Sequence, residues 1–260
     1  MFLDKAMERA RVSAGEREVT VPVSTLEKAI AHRDVPAPSF AAAIRRGEGN
    51  VRVIAEVKRF SPSAGKVNAG ATVAATAEEY EKAGADAVSV LTSGFGFRGC
   101  VQDLEEARSA CALPLLCKDF ISLEYQVLEA GAFGASAFLL IAEALGHEDL
   151  AGLIARGREI GMEALVEAHT VAGVDRAVDA GAGIIGINNR DLETLDVDIS
   201  TTEELRGLVP RGCPIVSESG IRTSDDVTRM ASAGVDALLI GEALMRAPEP
   251  WIRLKELTGR

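Results

Sequence analysis

Residues 81–91 read EKAGADAVSVL: the end of a helix, a glycine, then a short apolar strand. The same pattern returns at 129–141 (EAGAFGASAFLLI), 178–187 (VDAGAGIIGI) and 231–241 (ASAGVDALLIG). Glycine suits the residue after a helix end, where the left-handed backbone is cheap only without a Cβ. Gly84, Gly134, Gly181 and Gly234 recur about every 50 residues, a period that holds two βα units. Four such periods make eight units, and eight βα units can close a (β/α)8 TIM barrel. Strands are expected over 51–57, 87–91, 114–117, 135–140, 163–166, 183–187, 214–217 and 237–240. Helices are expected between and after them, over 73–83, 101–110, 123–130, 148–160, 171–179, 201–208, 224–231 and 249–257. The rival architecture, an open doubly wound sheet, often carries a glycine-rich turn after its first strand. Lys58-Arg59-Phe60-Ser61-Pro62 stands there instead, which favours the closed barrel.

Composition agrees with that reading. A chain of 260 residues suits one barrel domain over 1–260, with residues 1–50 as a helical extension packed on it. Aromatics are 4% against 47% hydrophobic residues, so the core is built from Ala, Val, Ile and Leu, as in a parallel sheet buried on both faces. In the extension, residues 3–12 form an amphipathic stretch. Ser24 and Glu27 have the spacing of a capping box, and Ser39 is expected to cap a helix running to Ile44. The net charge of -11 argues against nucleic acid and anionic membrane as partners. None of the four cysteines forms a CxxC pair, so reduced, mostly buried thiols are expected and no metal site. The start of the chain has no basic-then-apolar signal region, and the longest apolar run is too short for a bilayer. A cytoplasmic protein, monomeric or weakly self-associating, is the expectation.

In a barrel of this class the chemistry sits at the C-terminal ends of the strands. Charged and amide groups stand at those ends: Glu56 and Lys58, Lys118, Glu167, Asn188 and Arg190, Glu218. Strand side chains alternate, so Glu56 and Lys58 share a face and point into the mouth. A lysine in a low-dielectric mouth is expected to have a lowered pKa, which makes Lys118 a candidate proton donor. Glu167, near two lysines, would stay ionised and could accept a proton. His169 in the following loop is read as incidental. Asn188 and Arg190 can orient an oxygen-rich ligand, Arg190 by pairing with a carboxylate; Asn189 is as well read as a loop brace. Glu218-Ser219-Gly220 and Gly241-Glu242-Ala243 end the last two strands, where such barrels often hold a phosphate on backbone N–H groups. Glu242 would repel a phosphate through its side chain, so only its backbone is expected to serve. Phe97 and Phe120, with Leu139 and Leu192, could form an apolar wall for an aromatic ring. Phe95, in the glycine-rich loop 93–97, could belong to a lid.

These residues resemble the indole-3-glycerol phosphate synthase family. The matching pieces are IAEVKRFSP (54–62), SVLT (89–92), FRG (97–99), LPLLCKDF (113–120), GINNRDLETL (186–195), SESGI (217–221) and LIGEALM (239–245), in family order. The resemblance implies a phosphorylated substrate, 1-(2-carboxyphenylamino)-1-deoxyribulose 5-phosphate, ring closure with loss of CO2 and water, and no metal or organic cofactor. It implies catalytic roles for Glu56, Lys58, Lys118, Glu167, Asn188 and Glu218. It implies substrate contacts from Ser61, Phe97, Phe120, Leu139, Arg190 and Leu192, and phosphate contacts from Ser219, Gly220, Gly241 and Glu242. Lys118 would be the general acid and Glu167 the base; Lys58 would bind the carboxylate or serve as a second acid, and Glu56 would hold one of the two lysines. Phe60 departs from the small or polar residue usual before Ser-Pro, and at the mouth it is expected to reshape the pocket or the loop. A phosphoribosylanthranilate isomerase would need a cysteine in the first strand, where Glu56 and Lys58 stand. A non-catalytic barrel would show eroded mouth chemistry, whereas each charged position is filled.

Overall fold

The four recurring glycines all adopt the left-handed backbone, with φ of +88° at Gly84, +97° at Gly134, +79° at Gly181 and +84° at Gly234. Each ends a helix and turns the chain into the next strand. The computed structural model describes residues 2–33, 37–47, 49–62, 65–191 and 194–259. Eight parallel strands close into a barrel: β1 (Arg52–Val57), β2 (Ala87–Leu91), β3 (Leu115–Lys118), β4 (Ala137–Ile141), β5 (Glu163–Ala168), β6 (Ile184–Asn188), β7 (Ile215–Glu218) and β8 (Ala237–Ile240). Each strand pairs with its neighbours in the chain, and β8 closes on β1 in the register Ile54–Leu239. Most strands run one or two residues beyond the expected ends. Lys118, Glu167, Asn188 and Glu218 are therefore held by sheet hydrogen bonding and not by loops.

Burial follows the strand alternation. Ile54, Ala87, Leu116, Leu139, Leu165, Ile184, Val216 and Leu239 fill the barrel interior. Val53, Ala55, Val88, Cys117, Phe138, Val166, Ile185 and Leu238 pack outward under the helices. These are α4 (Val73–Lys82), α5 (Gln102–Ala110), α6 (Glu124–Ala132), α7 (His147–Glu159), α8 (Val171–Asp179), α9 (Ser200–Leu205), α10 (Ser224–Ala233), the short α11 (Glu242–Met245) and α12 (Pro250–Thr258), after the three described next. Cys111 and Cys117 are buried, as expected, but Cys100 is exposed at the start of α5 and Cys213 is only partly covered.

Three helices precede the barrel: α1 (Phe2–Thr20), α2 (Val23–Ala31) and α3 (Phe40–Ile44). Ser39 caps α3, its Oγ accepting the Ala42 N–H at 3.2 Å. The fully buried Phe40 and Ile44 then plug the floor of the barrel against its interior side chains. The Ala41 N–H on Glu163 Oε2 and the Arg46 N–H on Asp236 Oδ1 tie this segment to the lower ends of β5 and β8. Ser24 is not a cap: Pro22 occupies the N-cap position, so the helix has already begun at Val23. Helix α1 is much longer than the stretch expected. Near its end Arg17 makes a two-pronged ion pair with the buried Glu129 of α6, at 2.6 and 2.7 Å. Its first turn lies at the opposite, C-terminal mouth of the barrel, where Phe2 and Leu3 border the central cavity. Among the described residues no helix is long and apolar enough to cross a membrane.

Candidate active site

The inward parity of each strand leads from an apolar residue to a polar one at the tip: Ile54 to Glu56, Leu116 to Lys118, Leu165 to Glu167, Gly186 to Asn188, Val216 to Glu218. The tips converge on a cavity of about 420 Å³ at the mouth. Lys118 Nζ donates to Glu167 Oε2 and to Glu218 Oε2, both at 2.8 Å. Asn188 Nδ2 donates to the other oxygen of Glu167 at 2.9 Å, and Asn188 Oδ1 accepts the Arg190 N–H at 3.0 Å. Lys58 Nζ pairs with Glu56 Oε1 at 2.7 Å, while Ser89 Oγ donates to Glu56 Oε2 at 3.3 Å. Glu56 therefore holds Lys58, and two other carboxylates hold Lys118. Two glycines make room for these groups. A Cβ on Gly186 would lie 2.2 Å from Glu218 Oε1, and one on Gly241 would lie 2.4 Å from Glu56 Oε1.

This arrangement reverses one expectation. Burial alone pulls the Lys118 pKa down, but the charges of Glu167, Glu218 and Glu56 outweigh it, and the ammonium is held above its ordinary range. Burial pushes Glu167 up, yet the Lys118 charge and the hydrogen bonds from Lys118 and Asn188 bring it below the usual carboxylate range. Glu218 goes the other way. Burial, with the charges of Glu167 and Glu56, overrides Lys118 and pushes it up to about 7. The two carboxylates on one lysine thus differ in proton affinity, as an acid–base site requires. Glutamate in an unfolded chain titrates near pH ~4.3. Between that value and about 7 the folded chain holds a proton at Glu218 that the unfolded chain has lost, so stability falls as pH rises across this window. Glu218→Gln is expected to raise Tm relative to the parent at about pH 8, with the gain shrinking toward about pH 5. Thermal melts at both pH values check it.

The other expected residues divide as follows. Ser61, Phe97, Phe120, Leu139, Arg190, Ser219, Gly220, Gly241 and Glu242 all border the same cavity; Leu192 lies outside the described residues. Arg190 Nη1 is engaged by the Leu195 carbonyl at 2.8 Å. Asn189 is a brace: its amide donates to Ser217 Oγ and the Ser219 carbonyl, and its carbonyl accepts from the Thr202 N–H and hydroxyl. His169 lies against Glu143 and does not border the cavity. Ser219 and Gly220 both have positive φ, +66° and +87°, which turns the backbone after β7 across the mouth. Phe60 does not narrow the pocket. Its ring packs under the Arg98 guanidinium, 4.3 Å from the centroid, in a short hairpin of Phe60–Ser61 with Gly65–Lys66. The glycine-rich loop is anchored too: Phe95 stacks on Phe2 with centroids 5.6 Å apart, and Phe2 meets Phe120 edge-on at 6.2 Å. Sequence reasoning missed Phe2 and Leu3 as wall residues, and Arg222, Arg246 and Arg253 beside the glycine loops. Among the described residues no group of three or more His, Cys, Asp or Glu is placed to hold a metal ion.

A family model described as indole-3-glycerol phosphate synthase matches residues 3–257. The chain belongs to the indole-3-glycerol phosphate synthase family. It is 50% identical over 224 residues to indole-3-glycerol phosphate synthase 2 of Streptomyces coelicolor, covering 86% of each chain. It is 44% identical over 257 residues to the indole-3-glycerol phosphate synthase of Streptomyces griseus, covering 99% of this chain and 94% of that one. A solved structure of 3-hexulose-6-phosphate synthase from Salmonella typhimurium superposes with a TM-score of 0.62 at 15% identity, over 80% of this chain and 97% of the other; it shares the fold alone. As a member of its family the chain is a decarboxylating lyase of tryptophan biosynthesis.

Proposed function

We propose that the site converts 1-(2-carboxyphenylamino)-1-deoxyribulose 5-phosphate to indole-3-glycerol phosphate, CO2 and water. The observation that carries this reading is Lys118 between Glu167 and Glu218, on the floor of a cavity with an aromatic wall and glycine loops at its rim. Lys118 protonates the ketone oxygen as the ring carbon bearing the carboxylate attacks the ketone carbon. Glu167 stabilises the positive charge that develops on the anilino nitrogen. Breaking the bond to the carboxylate releases CO2 and returns its electron pair to the ring. The hydroxyl formed from the ketone then leaves as water with a proton from Lys58, and Glu167 takes a proton from the methylene carbon beside nitrogen, which creates the indole double bond.

Each remaining feature of the substrate has a counterpart. Lys58 and Arg190 face its carboxylate, Phe97, Phe120 and Leu139 its ring, and Asn188 a hydroxyl. Ser61 stands beside the ring, and the backbone at Ser219, Gly220, Gly241 and Glu242 faces the phosphate. Every step is acid–base chemistry that lysine and glutamate supply, and the enzyme works in the cytoplasm on a small phosphorylated substrate. The test is incubation of the purified protein with the carboxyphenylamino-deoxyribulose phosphate. Growth of indole fluorescence with release of CO2 is the expected result. A folded protein that gives no signal at high enzyme concentration would overturn the reading.

A further inference from the structure

Glu242 is an awkward residue for the end of the cavity where a phosphate is to sit. It follows Gly241 directly, borders the cavity with Ser219 and Gly220, and brings a carboxylate to a protein of net charge -11. Its carboxylate does not stand alone. Arg246 Nε donates to Glu242 Oε1 at 2.8 Å, and both side chains are partly exposed, at 52% and 35%. Arg253 of α12, which also borders the cavity, is engaged elsewhere: it donates to Glu256 Oε2 and to the Arg222 carbonyl.

We infer that Arg246 is a positioning residue for anion binding: it draws the Glu242 carboxylate aside and neutralises it, so that a phosphate can enter between Ser219–Gly220 and Gly241. This rests on the reading that the substrate's phosphate lies there. The plain alternative is a helix pair four residues apart that lends α11 a little stability. Helix α11 has only four residues, which leaves little helix to support. A carboxylate freed beside a phosphate dianion costs Coulomb energy at any effective dielectric below that of bulk water. In an acidic protein that local charge decides whether an anion is admitted or repelled.

The experiment compares the parent enzyme with Arg246→Ala, Arg246→Lys and the double variant Arg246→Ala/Glu242→Gln, by steady-state kinetics and by the affinity for inorganic phosphate in titration calorimetry. Arg246→Ala is expected to raise KM and weaken phosphate binding by roughly three- to tenfold, with the change in KM and not in kcat. Glu242→Gln in that background restores both, because the charge Arg246 masks is gone; Arg246→Lys keeps most of the parent affinity. Unchanged phosphate affinity in Arg246→Ala overturns the inference. So does a loss that Glu242→Gln fails to reverse, since that would make Arg246 a direct ligand or a fold element. If the parent forms no indole product, the proposed function falls while the phosphate titrations still decide the role of Arg246.

Discussion

Lys118→Met is expected to lower kcat by at least about 10²–10⁴-fold, the usual contribution of a positioned general acid, with the substrate still bound. The methionine is close in volume and keeps the apolar stem, so Phe97, Phe120 and the glycine loops retain their contacts. What disappears is the cation that Glu167 and Glu218 share. The same substitution carries a second signature in stability. Both carboxylates are buried, and removing one partner of a buried ion pair typically costs about 3–5 kcal/mol. In the variant the deficit appears only where those carboxylates are required to ionise. Their folded pKa values rise once the ammonium is gone, so the folded chain holds protons that the unfolded chain releases above pH ~4.3. The loss in Tm should therefore be larger at about pH 8 than at about pH 5. A variant with near-parental turnover would remove Lys118 from the mechanism. A variant with lost turnover and an unchanged pH dependence of Tm would mean that Lys118 does not neutralise the two carboxylates.

The barrel was legible because its signals are local. Each glycine turn lies within about a dozen residues of the helix and strand it joins, and strand parity alone carries Ile54 to Glu56 and Leu165 to Glu167. The state of Lys118 was not legible. The carboxylates that reverse its pKa come from strands 49 and 100 residues away, and only barrel closure brings them within hydrogen-bonding distance. The same holds for Phe2 and Leu3. No periodicity at the start of a helix says that its first turn will lie across a mouth built from residues 56–253; the Arg17–Glu129 pair at its other end helps to fix that path. Of the two effects expected of Phe60, on the pocket or on the loop, the structure shows the one on the loop. Its position in the sequence is that of a pocket residue, but its ring is claimed by Arg98 from the next loop.

Glu167→Gln separates the base from the scaffold around it. The glutamine amide can keep one contact with Lys118 or Asn188, so the cavity keeps its shape, but it cannot accept a proton or offset a cationic nitrogen. Two steps of the proposed reaction lose their partner at once: formation of the ring, where positive charge develops on nitrogen, and dehydration, where a proton leaves the neighbouring methylene. The fall in kcat is expected to reach about 10²–10⁴-fold and to exceed any rise in KM, since Glu167 acts on charges absent from the bound ground state. The pH profile gives an independent check. Glu167 sits below the usual carboxylate range, so in the parent it is ionised throughout the neutral region and contributes no limb there. The group that titrates at about 7 is Glu218. Glu167→Gln should therefore depress activity across the neutral region; any inflection near 7 should move to lower pH in it, because the Glu167 charge helps to hold Glu218 up, and should vanish in Glu218→Gln. An inflection near 7 lost with Glu167 and kept without Glu218 would exchange the two assignments. It would make the carboxylate on β7, rather than the one on β5, the base that Lys118 holds ready.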